Sequence, residues 1–429
     1  MTYNEATTYL YDRLPVFHRV GVSAYKPGFA NVLALCGALG NPQHQFRSIH
    51  VAGTNGKGST SHLLASIYQE AGYRVGLYTS PHLKSFTERI RLNEKLIPEG
   101  DVATFVASQR ALIEVIQPSF FEVTVAMAFD YFARERVDIA IIEVGLGGRL
   151  DSTNIITPLV SVITNIGWDH MDVLGDSLSQ IASEKGGIIK PNVPVVVGET
   201  QPETMSVFQN IAQSVSSTIE FADQQWEVSD LGILDSIRTV ACKSLSVDKS
   251  FFASLPLLGL YQLANLKTVL STVNRVHSVL PVSDKAIVDG CRFVVVNTGL
   301  KGRFQLVQQQ PTVIADTAHN QPGIEALLAT IETIRYACLR FVVGFVGDKD
   351  VSSVLRLLPV KATYYFCQAN MPRAFPVDEL VSRSNSIGLT GHGYADVNLA
   401  IAAALAEASS DDLIIITGST YVVAEINSL

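Results

Sequence analysis

The sequence predicts an α/β protein with two domains: a larger one built on a mostly parallel sheet and a smaller, Rossmann-like one at the C-terminus. Short apolar runs alternate with helix-length amphipathic segments from residue 46 onward, which is typical of parallel strands joined by helices. This alternation is interrupted between residues 219 and 255 and resumes after residue 297. The 429 residues, 47% of them hydrophobic, are enough for more than one core. We therefore place the domains at residues 1–296 and 297–429.

Continuous apolar runs predict the strands of the first domain, because parallel strands are buried on both faces. The first 41 residues are expected to be helical, with a loop at residues 24–28. Strands are expected at 74–78, 139–144, 160–163 and 193–197, with helices that include 103–116 and 123–134. Residues 219–255 are expected to form an irregular β excursion, followed by helices at 258–280 and 283–293.

The second domain repeats the same alternation of strand and helix. Strands are expected at 312–315, 340–345, 363–366 and 413–417. Helices are expected at about 322–335, 350–358, 377–386 and 396–408. This order again predicts a parallel sheet covered by helices.

Composition excludes several classes of function. The net charge of -8 and the absence of a basic patch argue against a nucleic-acid partner. The five cysteines are scattered, without a CxxC pair, which favours reduced thiols over disulfides or zinc. No apolar run is long enough to span a membrane, and the N-terminus does not resemble a signal peptide. We expect a cytoplasmic protein and, since no apolar interface strip is visible, a monomer.

A glycine-rich loop after the first apolar run predicts a phosphate-binding site. It reads Gly53-Thr54-Asn55-Gly56-Lys57-Gly58-Ser59 and leads into a helix. Loop amides and the helix N-terminus attract phosphate, Lys57 neutralises it, and the Ser59 hydroxyl can reach a phosphate-bound Mg²⁺. The loop departs from the strict P-loop pattern, which has glycine at position 51 and a hydroxyl at position 58. Even so, strand, loop and helix together indicate a P-loop ATPase domain.

Polar residues at the ends of other predicted strands are candidates for the same site, because the carboxyl ends of parallel strands bind ligands. Ser80 could ligate Mg²⁺ and His82 could face substrate, although this stretch could also be a simple turn. Glu143 ends a buried strand, where an acid must be paired or metal-bound. We expect it to share Mg²⁺ with Ser59, the alternative being a salt bridge to Arg149.

Further residues allow more than one interpretation. After the strand 160–163, oxygen chemistry favours Asp169 over His170 as a metal ligand. Lys185 lies near a helix end, where a cation is stabilised by the helix dipole. In the second domain Arg303 could clamp phosphate. With Asn265 and Gln262 as candidates for an adenine edge, the pattern predicts a nucleotide gripped between two domains.

These motifs together resemble the Mur ligase superfamily and, within it, the dihydrofolate synthase/folylpolyglutamate synthase family. The resemblance covers most of the chain, in order, and is most specific at the Ser-Pro-His-Leu loop and the Gly-Gly-Arg-Leu-Asp run. The motifs that carry it are Gly53 to Ser59, Thr79 to Leu83, Glu88 to Ile90, Phe120 to Thr124, Glu143 to Asn154, Asp169-His170, Glu184 to Lys190, Asp316 to Asn320 and Thr417 to Ser419.

The resemblance implies roles for individual residues. Lys57, Lys185 and His170 would be catalytic, with Lys185 carbamylated. Ser59 and Glu143 would hold one Mg²⁺, and Ser80, Glu143 and His170 a second, which reverses the preference for Asp169. ATP would be bound by Thr54, Asn55, Gly56, Lys57, Gly58, Ser59, Asn265, Arg303 and Asp316. Substrates would be bound by Tyr25, Lys26, His82, Phe120, Phe121, Glu122, Arg149, Asp151 and Ser152, and by His319 and Ser419 for glutamate.

The implied reaction is ATP-dependent ligation of L-glutamate to dihydropteroate and to reduced folates through an acyl phosphate. The chain departs from the family pattern at Tyr261, where histidine is common, and at Thr317 and Gln321, where glycine and proline are usual. Residues 301–305 also differ from the commoner Pro-Gly-Arg run. The alternatives are another Mur-type amino-acid ligase, a P-loop switch protein that hydrolyses NTP slowly, and an inactive homologue.

Overall fold

The structure, a computed structural model, describes residues 1–16, 21, 26, 28–347 and 351–429. The chain folds as two compact units. The first comprises Met1–Gly232, Arg238–Pro256 and Gln262–Leu300, and the second Ile233–Ile237, Leu257–Tyr261 and Lys301–Leu429. Both units have α/β architecture, which confirms the predicted fold class.

The first unit is built on a mostly parallel sheet. In the part that the structure describes, eight strands lie in the order β4-β3-β2-β5-β1-β6-β7-β8. They are β1 (Ser48–Ala52), β2 (Val75–Tyr78), β3 (Ile90–Leu92), β4 (Lys95–Leu96), β5 (Ile139–Glu143), β6 (Val160–Ile163), β7 (Val195–Val197) and β8 (Ile219–Phe221). Strand β3 pairs antiparallel with both β2 and β4, and the other pairs are parallel.

The register of this sheet brings three loops to one edge. Val51 of β1 pairs with Glu143, the last residue of β5, and Ala52 pairs with Ile163 at the end of β6. The glycine loop, the Glu143 carboxylate and the segment after Ile163 therefore leave the sheet side by side. This is the edge where parallel sheets bind ligands.

Helices cover both faces of the sheet. In the described part of the first unit they are α1 (Tyr3–Arg13), α2 (Ala30–Ala38), α3 (Lys57–Glu70), α4 (Glu99–Ile116), α5 (Phe120–Arg134), α6 (Met171–Leu174), α7 (Leu178–Gly186), α8 (Pro202–Ser214), α9 (Gln262–Val276), α10 (Asp284–Arg292) and α11 (Val294–Thr298). Residues of α1, α2, α4 and α5 form one core with β2 and β5, and α7 and α8 form another with β6 and β7. Among the described residues, no helix is long and apolar enough to cross a membrane.

Residues 219–255 are more regular than expected. The first strand of the stretch, β8, joins the main sheet. The rest forms a separate three-stranded sheet of β9 (Trp226–Leu234), β10 (Ile237–Ser244) and β11 (Ser250–Leu255), counted over the described residues. Strand β10 alternates between buried and part-exposed side chains, as a sheet with one solvated face requires.

The second unit contains a six-stranded sheet, in the described residues, ordered β12-β13-β17-β14-β15-β16. Its strands are β12 (Gln305–Gln308), β13 (Thr312–Ala315), β14 (Leu339–Val343), β15 (Thr363–Cys367), β16 (Gly391–Tyr394) and β17 (Leu413–Thr417). Its helices are α12 (Gln321–Ile331), α13 (Val351–Leu355), α14 (Val377–Ser386), α15 (Val397–Glu407) and α16 (Thr420–Glu425). The edge strands β12 and β16 were not predicted, because neither carries an apolar run.

The helix expected at 258–280 begins later, at Gln262. The preceding segment Leu257–Tyr261 belongs to the second unit, and Leu258 is buried in that unit's core. The predicted helix began too early because the segment just before it is also apolar, although that segment is a connection.

Candidate active site

Two glycines of the P-loop sit where no side chain fits. Gly53 has φ +142°, and a Cβ there would lie 1.8 Å from Thr164 Oγ1. Gly56 has φ +82°, and a Cβ there would lie 2.2 Å from Asn265 Oδ1. The loop is therefore closely packed against the end of β6 and against α9.

The segment after β6 braces the start of the loop. The N–H of Thr54 donates to the Asn165 carbonyl at 2.9 Å, and the N–H of Asn55 donates to Asn165 Oδ1 at 3.0 Å. The Thr54 hydroxyl accepts from the N–H of Gly167 at 2.9 Å. The first bond of α3 runs from the N–H of Thr60 to the Gly56 carbonyl at 2.9 Å. The amides before it, at the helix N-terminus, are the ones aimed at an anion.

Two lysines converge on one carbonyl of the loop. Lys57 Nζ donates to the carbonyls of Gly53 and Thr54, each at 3.0 Å. Lys185, only 5% exposed, also donates from Nζ to the Gly53 carbonyl at 3.0 Å. Lys185 does lie in the last turn of α7, but its ammonium is directed to the P-loop and is buried. Its position thus favours a role at the loop over simple capping of a helix end.

A row of polar side chains links α9 to α3. Asn265 Nδ2 donates to Gln262 Oε1 at 2.8 Å, and Gln262 Nε2 donates to Ser59 Oγ at 3.1 Å. Gln262 is fully buried, and its side chain is bonded to Asn265 and to Ser59 of α3. Asn265 stays at the loop, with Oδ1 against Gly56.

Predicted metal ligands lie on neighbouring strand ends. Glu143, 4% exposed, accepts from the N–H of Ser80 at 3.0 Å. Glu143 ends β5 and Ser80 follows β2, and these two strands are paired. Arg149 forms an ion pair with Glu184, with Nη2 and Oε1 2.9 Å apart.

Asp169 and His170 stay together after β6. The N–H of His170 donates to Asp169 Oδ1 at 2.9 Å, and His170 Nε2 lies 3.8 Å from Asp169 Oδ2. In the described part of the chain, no group of three His, Cys, Asp or Glu side chains could hold a metal. A Mg²⁺ ion needs fewer of them, since phosphate and water supply most of its oxygen ligands. The Ser59 hydroxyl and the Glu143 carboxylate are hard oxygen donors that fit this ion.

An aromatic cluster surrounds His82. Arg89 Nε donates to His82 Nδ1 at 2.8 Å, and the Tyr11 hydroxyl lies 3.3 Å from His82 Nε2. Phe120 stacks on Tyr11, with ring centroids 5.1 Å apart, and the Arg89 guanidinium lies 5.3 Å from the Phe120 centroid. Because Arg89 donates to Nδ1, His82 is the neutral tautomer with its proton on Nε2.

Three other residues predicted to bind substrate make contacts within the protein. Phe121 lies against Gly145, where a Cβ would be 2.4 Å from the ring. Glu122 is 1% exposed and accepts from the N–H of Ser119 at 2.6 Å, as the capping-box residue of α5. Lys26 donates to the carbonyl of Gln117. Tyr25 lies outside the described residues.

Asp151 holds the Gly-Gly-Arg-Leu-Asp turn together. Its carboxylate accepts from the N–H of Leu146 at 2.8 Å and from the N–H of Thr153 at 3.0 Å. Burial raises the pKa of Asp151, and these bonds oppose the rise. Ser152 follows in the short 3₁₀ segment Ser152–Ile155. No motif in the sequence pointed to His50, which lies on β1 with Nε2 2.8 Å from Thr153 Oγ1.

The second unit gathers its predicted residues on two adjoining loops. Asp316 follows β13, and the Tyr261 hydroxyl donates to it at 2.7 Å. His319 Nδ1 lies 2.8 Å from the carbonyl of Thr317, to which it donates. Ser419 caps α16 by accepting from the N–H of Val422 at 3.1 Å. The N–H of Gly418 donates to the Ala318 carbonyl at 3.0 Å, which joins the His319 and Ser419 loops.

Most of the chain matches known protein families. Residues 51–273 match the Mur ligase middle domain, and residues 302–420 match the Mur ligase glutamate ligase domain. The dihydrofolate synthase/folylpolyglutamate synthase of Bacillus subtilis is 33% identical over 439 residues, covering 99% of this chain and 98% of the relative. The Escherichia coli protein of the same name is 34% identical, covering 88% and 85%.

Solved structures agree with this assignment. E. coli FolC in complex with DHPP and ADP has a TM-score of 0.85 and 31% identity, covering 99% of this chain and 96% of that one. The bifunctional folylpolyglutamate synthase/dihydrofolate synthase of Yersinia pestis, complexed with AMPPNP and Mn ion, has a TM-score of 0.84 and 30% identity, covering 99% and 97%.

The fold and the P-loop site define an ATP-dependent ligase of the Mur type. The chain belongs to the dihydrofolate synthase/folylpolyglutamate synthase family. Family, fold class and enzyme class were therefore correctly predicted from the sequence. The roles of individual site residues stay predictions.

Proposed function

We propose that the protein joins L-glutamate to dihydropteroate, forming dihydrofolate, and also to reduced folates, extending their glutamate chain. The observation that carries this proposal is the convergence of Lys57 and Lys185 on the P-loop, beside the buried carboxylate of Glu143. Relatives named for both synthase activities support the two substrates. The E. coli neighbour with DHPP and ADP supports a nucleotide and a pteridine ligand together.

The phosphate site would be built from the P-loop and its lysine. Amides at the start of α3 would hold the phosphates of ATP, and Lys57 would neutralise the β- and γ-oxygens. Ser59 and Glu143 would hold one Mg²⁺; Ser80, Glu143 and His170 would hold a second. Bound Mg²⁺ would spread the charge that develops on the transferred phosphoryl group. The Yersinia neighbour with AMPPNP and Mn ion supports a divalent cation beside the nucleotide.

Carbamylation of Lys185 is part of this proposal. Its buried ammonium next to the Gly53 carbonyl would become an anion able to orient Mg²⁺.

The reaction would proceed in two steps. The substrate carboxylate attacks the γ-phosphorus of ATP in line, the bond to the β–γ bridging oxygen breaks, and ADP leaves. The amine of glutamate then attacks the acyl carbon, phosphate leaves, and the nitrogen loses a proton as the amide forms. The P-loop and Lys57 orient the γ-phosphoryl group for the first step. Exclusion of water protects the hydrolysable acyl phosphate.

Residues 1–296 would bind ATP and the folate, and residues 297–429 would form the glutamate-ligase domain. The folate would contact Tyr25, Lys26, His82, Phe120, Phe121, Glu122, Arg149, Asp151 and Ser152. Glutamate would contact His319 and Ser419. Asn265, Arg303 and Asp316 would contribute nucleotide contacts. We propose a cytoplasmic monomer.

The test is phosphate release from ATP with Mg²⁺ and L-glutamate, with dihydropteroate in one reaction and tetrahydrofolate in another. Release that requires glutamate in both reactions is expected. Release with one substrate would restrict the enzyme to a single synthase activity. Phosphate release that ignores both glutamate and folate would instead favour a P-loop switch, and release with a different acid substrate would favour another Mur-type ligase.

A further inference from the structure

The second unit holds Asp316 in a closed set of hydrogen bonds. The carboxylate is 4% exposed. Its Oδ2 accepts from the Tyr261 hydroxyl at 2.7 Å and from the N–H of Phe304 at 2.8 Å. Its Oδ1 accepts from the N–H of Ala318 at 2.8 Å. Asp316 therefore ties together three segments of this unit, centred on residues 261, 304 and 318.

One of these segments carries Arg303. Phe304, whose N–H is bound by Asp316, has a left-handed φ of +50°, so this backbone is held in a restricted conformation. The Arg303 guanidinium donates to the Thr317 hydroxyl and, at 3.3 Å, to the Gly302 carbonyl. The N–H of Thr317 also donates to the Gly302 carbonyl at 3.1 Å. The orientation of Arg303 thus depends on Asp316 and Thr317 together.

Tyr261 is itself fixed by its own segment. The N–H of Leu260 donates to Thr330 Oγ1 at 3.0 Å, which anchors the chain just before the tyrosine. A Cβ on Gly259 would lie 2.5 Å from Tyr261 Cε1, so the ring lies directly against that glycine. The phenol is therefore aimed at Asp316 by the local backbone.

We propose that Tyr261 is a positioning residue for the nucleotide: its hydroxyl orients Asp316, and Asp316 in turn holds the 302–304 loop so that Arg303 is set for phosphate. This inference rests on the proposed function, in which Arg303 and Asp316 contribute nucleotide contacts. It gives a role to two departures from the family pattern, since Tyr261 contacts Asp316 and Thr317 contacts Arg303.

The charge of Asp316 responds to the same contacts. Burial raises the pKa of Asp316, whereas the bond from Tyr261 and the charge of Arg303 lower it. Removing the phenol hydroxyl should therefore raise the pKa further. Nucleotide binding by Tyr261→Phe should begin to weaken at a higher pH than in the wild type as the solution is acidified.

The experiment measures the Kd of ADP by calorimetry across pH, together with the KM for ATP and the kcat of glutamate-dependent phosphate release. For Tyr261→Phe we expect about a 5- to 30-fold rise in Kd and KM, with kcat at saturating ATP changed less than two-fold. The matched control is Tyr365→Phe, because the Tyr365 hydroxyl also donates to a carboxylate, Glu407 Oε2, at 2.6 Å in the same unit. That control should leave Kd unchanged.

A double-mutant cycle with Asp316→Asn tests whether Tyr261 affects nucleotide binding through Asp316. If Tyr261 acts through Asp316, the double variant should be little worse than Asp316→Asn alone. Additive effects, or a wild-type Kd and pH dependence in Tyr261→Phe, would overturn the inference. Because ADP binding needs no turnover, this outcome is distinguishable from failure of the proposed ligase reaction in the wild type.

Discussion

Glu143 is the residue on which the proposed metal chemistry depends most. It is the last residue of a buried strand, that strand pairs with the strand leading into the P-loop, and its carboxylate accepts from the N–H of Ser80. A carboxylate buried in this way is costly unless a cation or hydrogen bonds compensate for it. Its hydrogen bond to Ser80 offsets part of this cost, and its place at the end of the strand fits the proposed role as a metal ligand.

Replacing Glu143 with alanine should lower turnover by roughly 100-fold or more, because both proposed Mg²⁺ ions lose a shared ligand. The fold should persist, with a loss of about 1–3 kcal/mol from the unpaired Ser80 amide. Glutamate-dependent phosphate release at saturating Mg²⁺ and a thermal melt check the two parts. Glu114→Ala, which removes an exposed pair with Arg110, is the control. Wild-type turnover in Glu143→Ala would refute the metal assignment.

At the scale of elements, the strand–loop–helix unit of β1 and α3 was predictable because its glycines, lysine and helix pattern are local in sequence. The hydrogen bonds that hold this loop in place from other segments were not predictable. Asn165 and Gln262 are each more than 100 residues away in sequence from the loop residues that they contact. No local sequence pattern indicates which distant polar side chain will face the loop. Edge strands β12 and β16 were missed for a related reason, since solvated edges need no apolar run.

The close packing around Gly53 leads to a prediction for the P-loop. Gly53→Ala should destabilise the protein by about 1–3 kcal/mol and weaken nucleotide binding, because its Cβ would overlap Thr164 Oγ1 at a positive φ. Gly100→Ala is the control, since a Cβ at that helix position would meet no atom within 4 Å apart from its chain neighbours and its own helix backbone. It should be neutral or stabilising by about 0.5–1 kcal/mol. Thermal melts and ADP binding measure both; equal melting temperatures for the two variants would contradict the clash.

Helix α5 begins at a capping box whose acid was also a predicted substrate contact. Glu122 is buried and accepts from Ser119 and, at 3.3 Å, from Asn31 Nδ2. Glutamine can fill the same capping position. Glu122→Gln should therefore stay within about 0.5 kcal/mol of the wild type, whereas Glu122→Ala should lose about 1–2 kcal/mol. Melts of both variants, with the KM for the folate, are the measurement. A clear rise in that KM for Glu122→Gln at unchanged stability would support the proposed folate contact, whereas an unchanged KM would leave Glu122 with the capping role alone.

For the whole molecule, acid stability depends on groups that sequence patterns do not reveal. His50 lies between two apolar residues of β1 and is completely buried within the first unit's sheet. Burial, helped by the charge of Lys190, lowers its pKa to about 3 from 6.5. The folded state thus keeps this imidazole neutral across the range in which an unfolded chain would protonate it.

The sign of the pH effect follows from that difference. Because the folded pKa is below the unfolded one, His50 has no effect above pH 6.5, and stability is lost as pH falls through the window between 6.5 and about 3. From pH 7 to pH 5 this one group should cost about 2 kcal/mol. His50→Gln, which keeps an N–H donor for Thr153 Oγ1, should make urea-unfolding free energies flatter over this range. The exposed His44→Gln should leave the wild-type slope. If the unfolding free energy of the wild type and of His50→Gln fell with the same slope as pH decreased, the prediction would be contradicted. The protonation of His50 would then not differ between the folded and the unfolded chain, and its burial would not control this part of the acid response.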